Sequence, residues 1–206
     1  MKKIKLLFQG DSITDAGRSR DDFHDLGTGY PKYAAQLLRE QNPDVEFEFI
    51  NLGISGNRTD QLFDRLTPEC IELQPDIVSI MIGVNDVWHR YAVTRVMTTD
   101  EQIEVNYRSI LERIKKETSA KILILQPFTE GERLALMRDE VERVKLIVND
   151  LAEKYADAYV KTDDLMHADE NYGKPDYFTP DGVHPNVNGA KFIAKLYAEA
   201  VKELIK

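Results

Sequence analysis

Residues able to carry out acyl-transfer chemistry lie at the two ends of the chain. Ser12 directly follows a glycine and an aspartate that close an apolar run at residues 4–8. A buried strand that ends in this way delivers a polar side chain to the rim of a sheet, where a serine can act as a nucleophile. Gly, Asp and Ser are also common in turns and at helix N-caps, so the same residues fit an ordinary turn. Asp181 and His184 are three residues apart, a spacing that can pair a carboxylate with an imidazole base for the serine.

An acyl-transfer site also needs hydrogen-bond donors directed at the developing oxyanion. A loop rich in glycine and polar residues at 51–59 contains Gly56, and Asn85 follows the apolar run at residues 77–82. The backbone amides of Ser12 and Gly56 and the side-chain amide of Asn85 are the candidate donors. Taken singly, each has a simpler interpretation, because Gly56 fits a reverse turn and Asn85 fits a turn before a helix.

The elements that must position these residues alternate between strands and helices. Apolar runs predict strands at residues 4–8, 77–82, 121–125 and 158–160, and alternating apolar and acidic residues predict a half-buried strand at 45–50. Apolar residues at helical spacing predict helices at 31–41, 61–71, 100–117, 134–155 and 187–205, with Asp100 as an N-cap and connecting segments at 87–99 and 162–180. Strands that are nearly all apolar predict a parallel sheet between two helical layers. Ligands bind outside the carboxyl ends of such strands, so Ser12, Gly56 and Asn85 are expected at one rim.

The composition excludes several function classes. With 206 residues, the chain suits one domain, here residues 1–206. Its 36 acidic and 27 basic residues give a formal charge of −9, which disfavours nucleic acid and anionic membranes as partners. The single cysteine, Cys70, excludes an internal disulfide and a zinc–thiolate cluster. No apolar run is long enough to span a bilayer, and Lys5 interrupts the short N-terminal one, so we expect a cytoplasmic protein.

Four stretches together resemble the sequence blocks of the SGNH (GDSL-type) hydrolases, in the order that this family uses. They are Gly10-Asp11-Ser12-Ile13-Thr14, residues 51–59, Gly83-Val84-Asn85-Asp86 and Asp181-Gly182-Val183-His184-Pro185. The resemblance implies a three-layer α/β/α fold with a flavodoxin-like sheet of five parallel strands. It also implies that the protein uses neither a metal nor an organic cofactor.

The same resemblance implies a role for each site residue. Ser12 would be the nucleophile, His184 its base and Asp181 the group that orients the base, with Gly56 and Asn85 as oxyanion donors beside the Ser12 amide. The second block contains two glycines, Gly53 and Gly56. Gly56 is the match, because the functional glycine of the family follows the serine of that block.

Within the family, residues 10–18, 26–30, 53–59 and 79–88 look closer to bacterial acetylxylan esterase-like members than to the thioesterases and lysophospholipases. This favours short-chain acyl esters, above all O-acetyl groups on carbohydrates, and self-association into a homo-oligomer. Lysophospholipase or acyl thioesterase activity on the same fold is the alternative. Two other classes use similar residues: a metal-dependent phosphoesterase, and a noncatalytic sugar- or phosphate-binding domain with residues 10–12 as an anion-binding turn.

The candidate substrate-binding residues are Asp11, Arg58, Trp88 and Tyr91. Asp11 is expected to support the serine turn through hydrogen bonds. Arg58 either contacts substrate or is a solvated residue at a helix start. Trp88 and Tyr91 either line the acyl or sugar pocket or pack in the core or an interface. The sequence shows no comparable partner for His24, His89 or His167, which are expected in loops or at the surface.

Overall fold

The computed structural model describes residues 2–92, 95–131 and 134–206, and its centre is a sheet of five parallel strands. The strands are β1 (Lys2–Gly10), β2 (Val45–Asn51), β3 (Ile77–Met81), β4 (Lys121–Leu125) and β5 (Ala158–Val160). Their order is β2-β1-β3-β4-β5, and each neighbouring pair is parallel. This is the flavodoxin-like order, so the predicted fold class is confirmed.

Helices cover both faces of the sheet. They are α1 (Ser12–Asp15), α2 (Tyr30–Gln41), α3 (Thr59–Asp64), α4 (Val84–Tyr91), α5 (Asp100–Glu117), α6 (Ala135–Tyr155), α7 (Thr162–His167) and α8 (Val187–Leu204). One layer contains α2 packed against α8, and the other contains α5 packed between α3 and α6. Each long helix buries the apolar stripe that its sequence places at helical spacing. Among the residues described, no helix combines the length and the hydrophobicity required to cross a membrane.

The five predicted strands are all present, but four predictions about helices need correction. The 87–99 connection begins inside α4, and its residues 93 and 94 lie outside the described part of the chain. The 162–180 connection contains α7, which at six residues is too short to show a helical period. The helix predicted at 61–71 is α3 followed by a separate π-helical turn, Thr67–Ile71, which has a proline at its start.

The fourth correction concerns the start of α5. Thr99, and not Asp100, is the N-cap: its hydroxyl accepts a hydrogen bond from the backbone N–H of Gln102. The Gln102 side chain in turn accepts from the backbone N–H of Thr99. Both neighbouring residues are of types that cap helices, and the reciprocal capping box favours the threonine.

The strand register brings three chain segments to one edge of the sheet. Phe8 pairs with Asn51 on one side, and Gly10 pairs with Met81 on the other. The ends of β1, β2 and β3 therefore lie within two residues of each other in the register of the sheet. Below this edge the core is dense, and the ring of Phe8 packs against those of Tyr30 and Tyr197.

Candidate active site

Ser12, His184 and Asp181 form a continuous chain of hydrogen bonds at the carboxyl edge of the sheet. The Oγ atom of Ser12 lies 2.9 Å from Nε2 of His184, and Nδ1 of His184 lies 2.6 Å from Oδ2 of Asp181. Partial burial raises the pKa of the Asp181 carboxyl, but hydrogen bonds from the His184 ring and from backbone N–H groups outweigh it and lower the pKa overall. An ionised carboxylate only accepts hydrogen bonds, so Nδ1 carries the proton and Nε2 is free to accept the serine proton.

The loop before α8 holds the Asp181 carboxylate in place. Its Oδ1 atom accepts hydrogen bonds from the backbone N–H groups of Val183, at 2.9 Å, and His184, at 2.8 Å. One oxygen therefore fixes the turn while the other faces the imidazole. Asp181 and His184 are three residues apart in the sequence because they lie at the two ends of this turn.

Ser12 lies at the first position of α1, where the chain turns sharply after β1. Asp11 is the N-cap of this helix, and its Oδ1 accepts a hydrogen bond from the backbone N–H of Ile13 at 3.0 Å. Gly10 is needed because a Cβ atom there would lie 2.5 Å from the carbonyl oxygen of Met81 on the neighbouring strand. Burial raises the pKa of Asp11 to about 7, although the Ile13 amide and the nearby His184 act in the opposite direction.

The two glycines of the loop after β2 are required for different reasons. A Cβ on Gly53 would lie 2.4 Å from the backbone nitrogen of Asp15, so Gly53 lets the loop pack directly on α1. Gly56 has a φ of +82°, which favours glycine, and a Cβ there would meet only Nε2 of His89, at 4.0 Å. The carboxylate of buried Asp15 accepts hydrogen bonds from the backbone N–H and the hydroxyl of Ser55, at 2.9 and 2.8 Å. This contact fixes the residue before Gly56.

Asn85 lies in the first turn of α4 and faces the same loop. Its Nδ2 atom donates to the backbone carbonyl of Asn57 at 3.1 Å. A side-chain amide has two N–H groups, so this bond orients Asn85 and leaves it a second donor. The next residue, Asp86, accepts hydrogen bonds from the backbone N–H and the hydroxyl of Thr59, at 3.0 and 2.7 Å. Burial raises the pKa of Asp86 to about 6, against the effect of the Thr59 hydrogen bonds.

The four candidate substrate-binding residues occupy different surroundings. Asp11 is buried in the serine turn. The indole of Trp88 lies edge-on to the His184 ring, with centroids 6.5 Å apart. The Arg58 guanidinium pairs with Asp60 at 2.9 Å.

Tyr91, at the end of the same helix as Trp88, makes its contacts with a different element. It is half exposed, and its hydroxyl donates to Glu140 of α6 at 2.7 Å. Trp88 is therefore the candidate aromatic that lies beside His184.

Sequence reasoning missed the residues that support the site from below or beside it. The sequence predicts His89 in a loop or at the surface, but the residue is partly buried on α4, where Nη1 of Arg58 lies 3.4 Å from its Nδ1 and its Nε2 faces Gly56. Burial and the positive charge of Arg58 lower the pKa of His89. The sequence does not distinguish Asp15, at the end of α1, or Asp86, in the first turn of α4, because aspartate is common in turns and at helix starts. The sequence gives no signal for Arg65 because its acceptors on β1, Gln9 and Gly10, are 56 and 55 positions away. Across residues 2–92, 95–131 and 134–206, no group of three or more His, Cys, Asp or Glu side chains is arranged to hold a metal ion.

Residues 8–192 match the model of the GDSL-like lipase/acylhydrolase family. An acetylxylan esterase of Geobacillus stearothermophilus is 33% identical over 204 residues, which cover 96% of this chain and 93% of that enzyme. The chain belongs to the GDSL-like lipase/acylhydrolase family. It is accordingly a carboxylic ester hydrolase, and the family predicted from the four sequence blocks is confirmed.

Solved structures of this family agree with the fold. A crystal structure of a GDSL-like lipase from Parabacteroides merdae ATCC 43184 superposes with a TM-score of 0.91 at 31% identity, covering 98% of this chain and 96% of that one. A structure of the Geobacillus acetylxylan esterase gives a TM-score of 0.87 at 33% identity, covering 96% and 94%. Further similar structures are catalytic mutants of that esterase in which a serine, a histidine or an aspartate is replaced by alanine.

A more distant relative has a different activity. Thioesterase 1/protease 1/lysophospholipase L1 of Escherichia coli (strain K12) is 27% identical over 158 residues, which cover 76% of this chain and 68% of that enzyme. The proteins that this chain resembles thus include more than one class of acyl hydrolase.

Proposed function

We propose that this protein is a serine esterase that hydrolyses short-chain acyl esters, above all O-acetyl groups on carbohydrates, through an acyl-Ser12 intermediate. The observation that carries the proposal is the unbroken hydrogen-bond chain from Asp181 through His184 to Ser12. A nucleophile, a base and an orienting carboxylate in hydrogen-bond contact are the parts that acyl transfer requires.

The reaction has two half-reactions. In the first, Nε2 of His184 takes the Ser12 proton as Oγ forms a bond with the acyl carbon, and the resulting tetrahedral oxyanion collapses with cleavage of the bond to the alcohol oxygen. The departing alcohol receives the proton held by His184. In the second, His184 takes a proton from water as the water oxygen attacks the acyl carbon. The carboxylic acid leaves, and Ser12 regains its proton from His184.

The oxyanion would be bound by the backbone amides of Ser12 and Gly56 and by the side chain of Asn85. The left-handed conformation of Gly56 and the second N–H of Asn85 support this assignment. Removing one such donor typically costs about 100- to 1000-fold in kcat.

The preference for acetyl groups on sugars rests on the acetylxylan esterase relative and on Trp88 beside His184. An indole at that position can pack against the apolar face of a sugar ring or close the end of a small acyl pocket. We assign Asp11 to support of the serine turn, Arg58 to its pair with Asp60, and Tyr91 to packing against α6.

The experiment is a hydrolysis panel of acetylated xylosides, other acetylated sugars, p-nitrophenyl esters of increasing chain length, lysophospholipid and acyl thioesters, each run with Ser12→Ala as the control. We expect turnover to fall steeply as the acyl chain lengthens. A preference for long acyl chains or thioesters would contradict the acetyl assignment and favour the activity class of the more distant relative.

Two further measurements test the other classes. A serine-directed phosphonate that leaves Ser12 unlabelled, together with no ester turnover, would favour a binding domain. Activity that is lost to a chelator and restored by a divalent ion would favour a metal-dependent phosphoesterase.

Sedimentation of the purified protein would test the predicted homo-oligomer.

A further inference from the structure

Arg65 is the C-cap residue that follows α3, and its guanidinium contacts the backbone and side chains of the segments that carry the candidate site. Its side chain is only 11% exposed. Its Nε atom donates to the side-chain oxygen of Asn57 at 2.8 Å, and Nη2 donates to the backbone carbonyl of Gly10 at 3.0 Å. The Nη1 atom donates to the carbonyl of Leu52 at 2.8 Å and to the side-chain oxygen of Gln9 at 2.7 Å.

These partners belong to the two segments that carry the proposed nucleophile and the proposed glycine donor. Gly10 ends β1, two residues before Ser12, while Leu52 and Asn57 lie on either side of Gly56 in sequence. One planar group therefore fixes the end of β1 relative to the loop that follows β2. The distance between the Ser12 and Gly56 amides depends on this relative position.

Arg65 also reaches the third proposed donor through one intermediate residue. The backbone carbonyl of Asn57 accepts the hydrogen bond from Asn85, while the side chain of the same residue accepts from Arg65. Displacing Asn57 would therefore move the partner that orients Asn85.

The charge of the guanidinium has a nearby counter-ion. Nη1 of Arg65 pairs with the carboxylate of Glu69, one helical turn further along the chain. Burial lowers the pKa of Arg65, and Glu69 opposes this effect. The Glu69 backbone carbonyl accepts from Gln9 at 2.7 Å, so the ion pair is itself tied to β1.

We propose that Arg65 is the positioning residue of the oxyanion hole: it holds the Ser12, Gly56 and Asn85 donors in their relative positions without contacting substrate. This inference rests on the proposed function. An arginine suits the role because its five N–H groups lie in one rigid plane and reach several acceptors at once. A lysine keeps the positive charge beside Glu69, but its single ammonium group cannot reach the same set of acceptors.

The test compares Arg65→Lys with Arg113→Lys, a matched control on α5 whose guanidinium pairs with Glu117. With p-nitrophenyl acetate, we expect Arg65→Lys to lower kcat at least tenfold while KM changes less than about threefold, because the lost contacts act on the transition state. Affinity for methylboronic acid, which forms a tetrahedral anion on a nucleophilic serine, should fall in proportion to kcat/KM. Arg113→Lys should match the wild type in each measurement.

Coupling to Asn85 separates a positioning role from a general structural one. If both residues act through one oxyanion hole, the combined loss in Arg65→Lys/Asn85→Ala will be smaller than the product of the two single losses. If Arg65→Lys does not fold, Asn57→Ala, which removes only the link from Nε, is measured with the same readouts and decides the question.

Three results would overturn the role of Arg65: an unchanged kcat, a lowered kcat with unchanged affinity for methylboronic acid, or multiplicative losses in the double variant. Failure of the proposed function looks different. In that case the wild type would not be inhibited by methylboronic acid, or Ser12→Ala would keep its activity.

Discussion

At the scale of single residues, the candidate chemistry depends on which atoms of each polar side chain already take part in a hydrogen bond. Oδ1 of Asp181 is occupied by two backbone N–H groups, so only Oδ2 serves the imidazole. The imidazole Nδ1 is occupied in turn, and Nε2 is left for Ser12. The sequence predicted the contact between Asp181 and His184, because an aspartate and a histidine three residues apart can meet within one short turn.

Asp181→Asn tests the separate roles of the two Asp181 oxygens. The new Oδ1 still accepts from the backbone N–H groups, so the turn is kept, but an N–H replaces the oxygen that faces Nδ1. The imidazole would then hold its proton on Nε2, the wrong tautomer for a base, and we expect kcat to fall by about 10³- to 10⁴-fold at neutral pH.

Steady-state kinetics with p-nitrophenyl acetate measure the loss. Asp150→Asn, at an exposed position on α6, controls for removal of a carboxylate and should keep wild-type activity. An Asp181→Asn variant within tenfold of the wild type would contradict the assigned role of Asp181.

At the scale of elements, four strands could be predicted from short apolar runs and β2 from alternating apolar and acidic residues, and each predicted strand is followed by a polar residue or a glycine. The missed helices had no such signal. The start of α4 directly follows a strand, and its N-cap, Gly83, has no side chain that could cap it. Arg65 was missed for a related reason: its acceptors belong to β1 and the loop after β2, and only the fold brings them together.

Gly56→Ala tests the loop between β2 and α3. The positive φ of Gly56 is strained for an alanine, which should cost about 1–2 kcal/mol of unfolding free energy. The loop can relieve this strain only by turning the Gly56 amide, so we expect kcat/KM to fall by at least tenfold.

Gly173→Ala is the matched control, since Gly173 has a φ of +78° and a Cβ there would meet nothing within 4 Å. It should show a similar loss of stability in denaturant unfolding but unchanged activity. Equal kinetic effects of the two substitutions would contradict the role of Gly56 as an oxyanion donor.

At the scale of the whole molecule, the topology gathers residues that are far apart in sequence. Ser12 and His184, in hydrogen-bond contact, are 172 positions apart. The carboxyl ends of parallel strands share one edge, and this predicted that Ser12, Gly56 and Asn85 would meet there. His184 precedes α8 and does not follow a strand, so its pairing with Ser12 was predicted from the residue types and the family resemblance. The sequence could not predict the cost of this assembly, which is the burial of Asp11 and Asp86 near that edge.

Burial of Asp11 should make stability depend on pH. Its folded pKa, about 7, lies above the ordinary value of 3.8, so the folded state binds the proton more tightly than the unfolded chain. The contribution of this group to stability is therefore complete at low pH, is lost as pH rises towards 7, and is constant above that.

Asp11→Asn removes this titration and keeps an N-cap, because asparagine caps helices as well as aspartate does. Between about pH 5 and about pH 8, the unfolding free energy of the variant should therefore rise relative to the wild type by up to about 3 kcal/mol. Urea unfolding of both proteins across this range measures the difference, with Asp150→Asn as the control. A difference between variant and wild type that is constant with pH would contradict the account.

The most direct test of the central claim is to trap the acyl-enzyme. Wild-type protein is quenched in acid during turnover of p-nitrophenyl acetate, digested and analysed by mass spectrometry, with Ser12→Ala treated in parallel. The account predicts one acetyl group on the peptide that contains Ser12, with neither the acetyl group nor turnover in the variant. An acetyl group on another residue, or full turnover by Ser12→Ala, would contradict it.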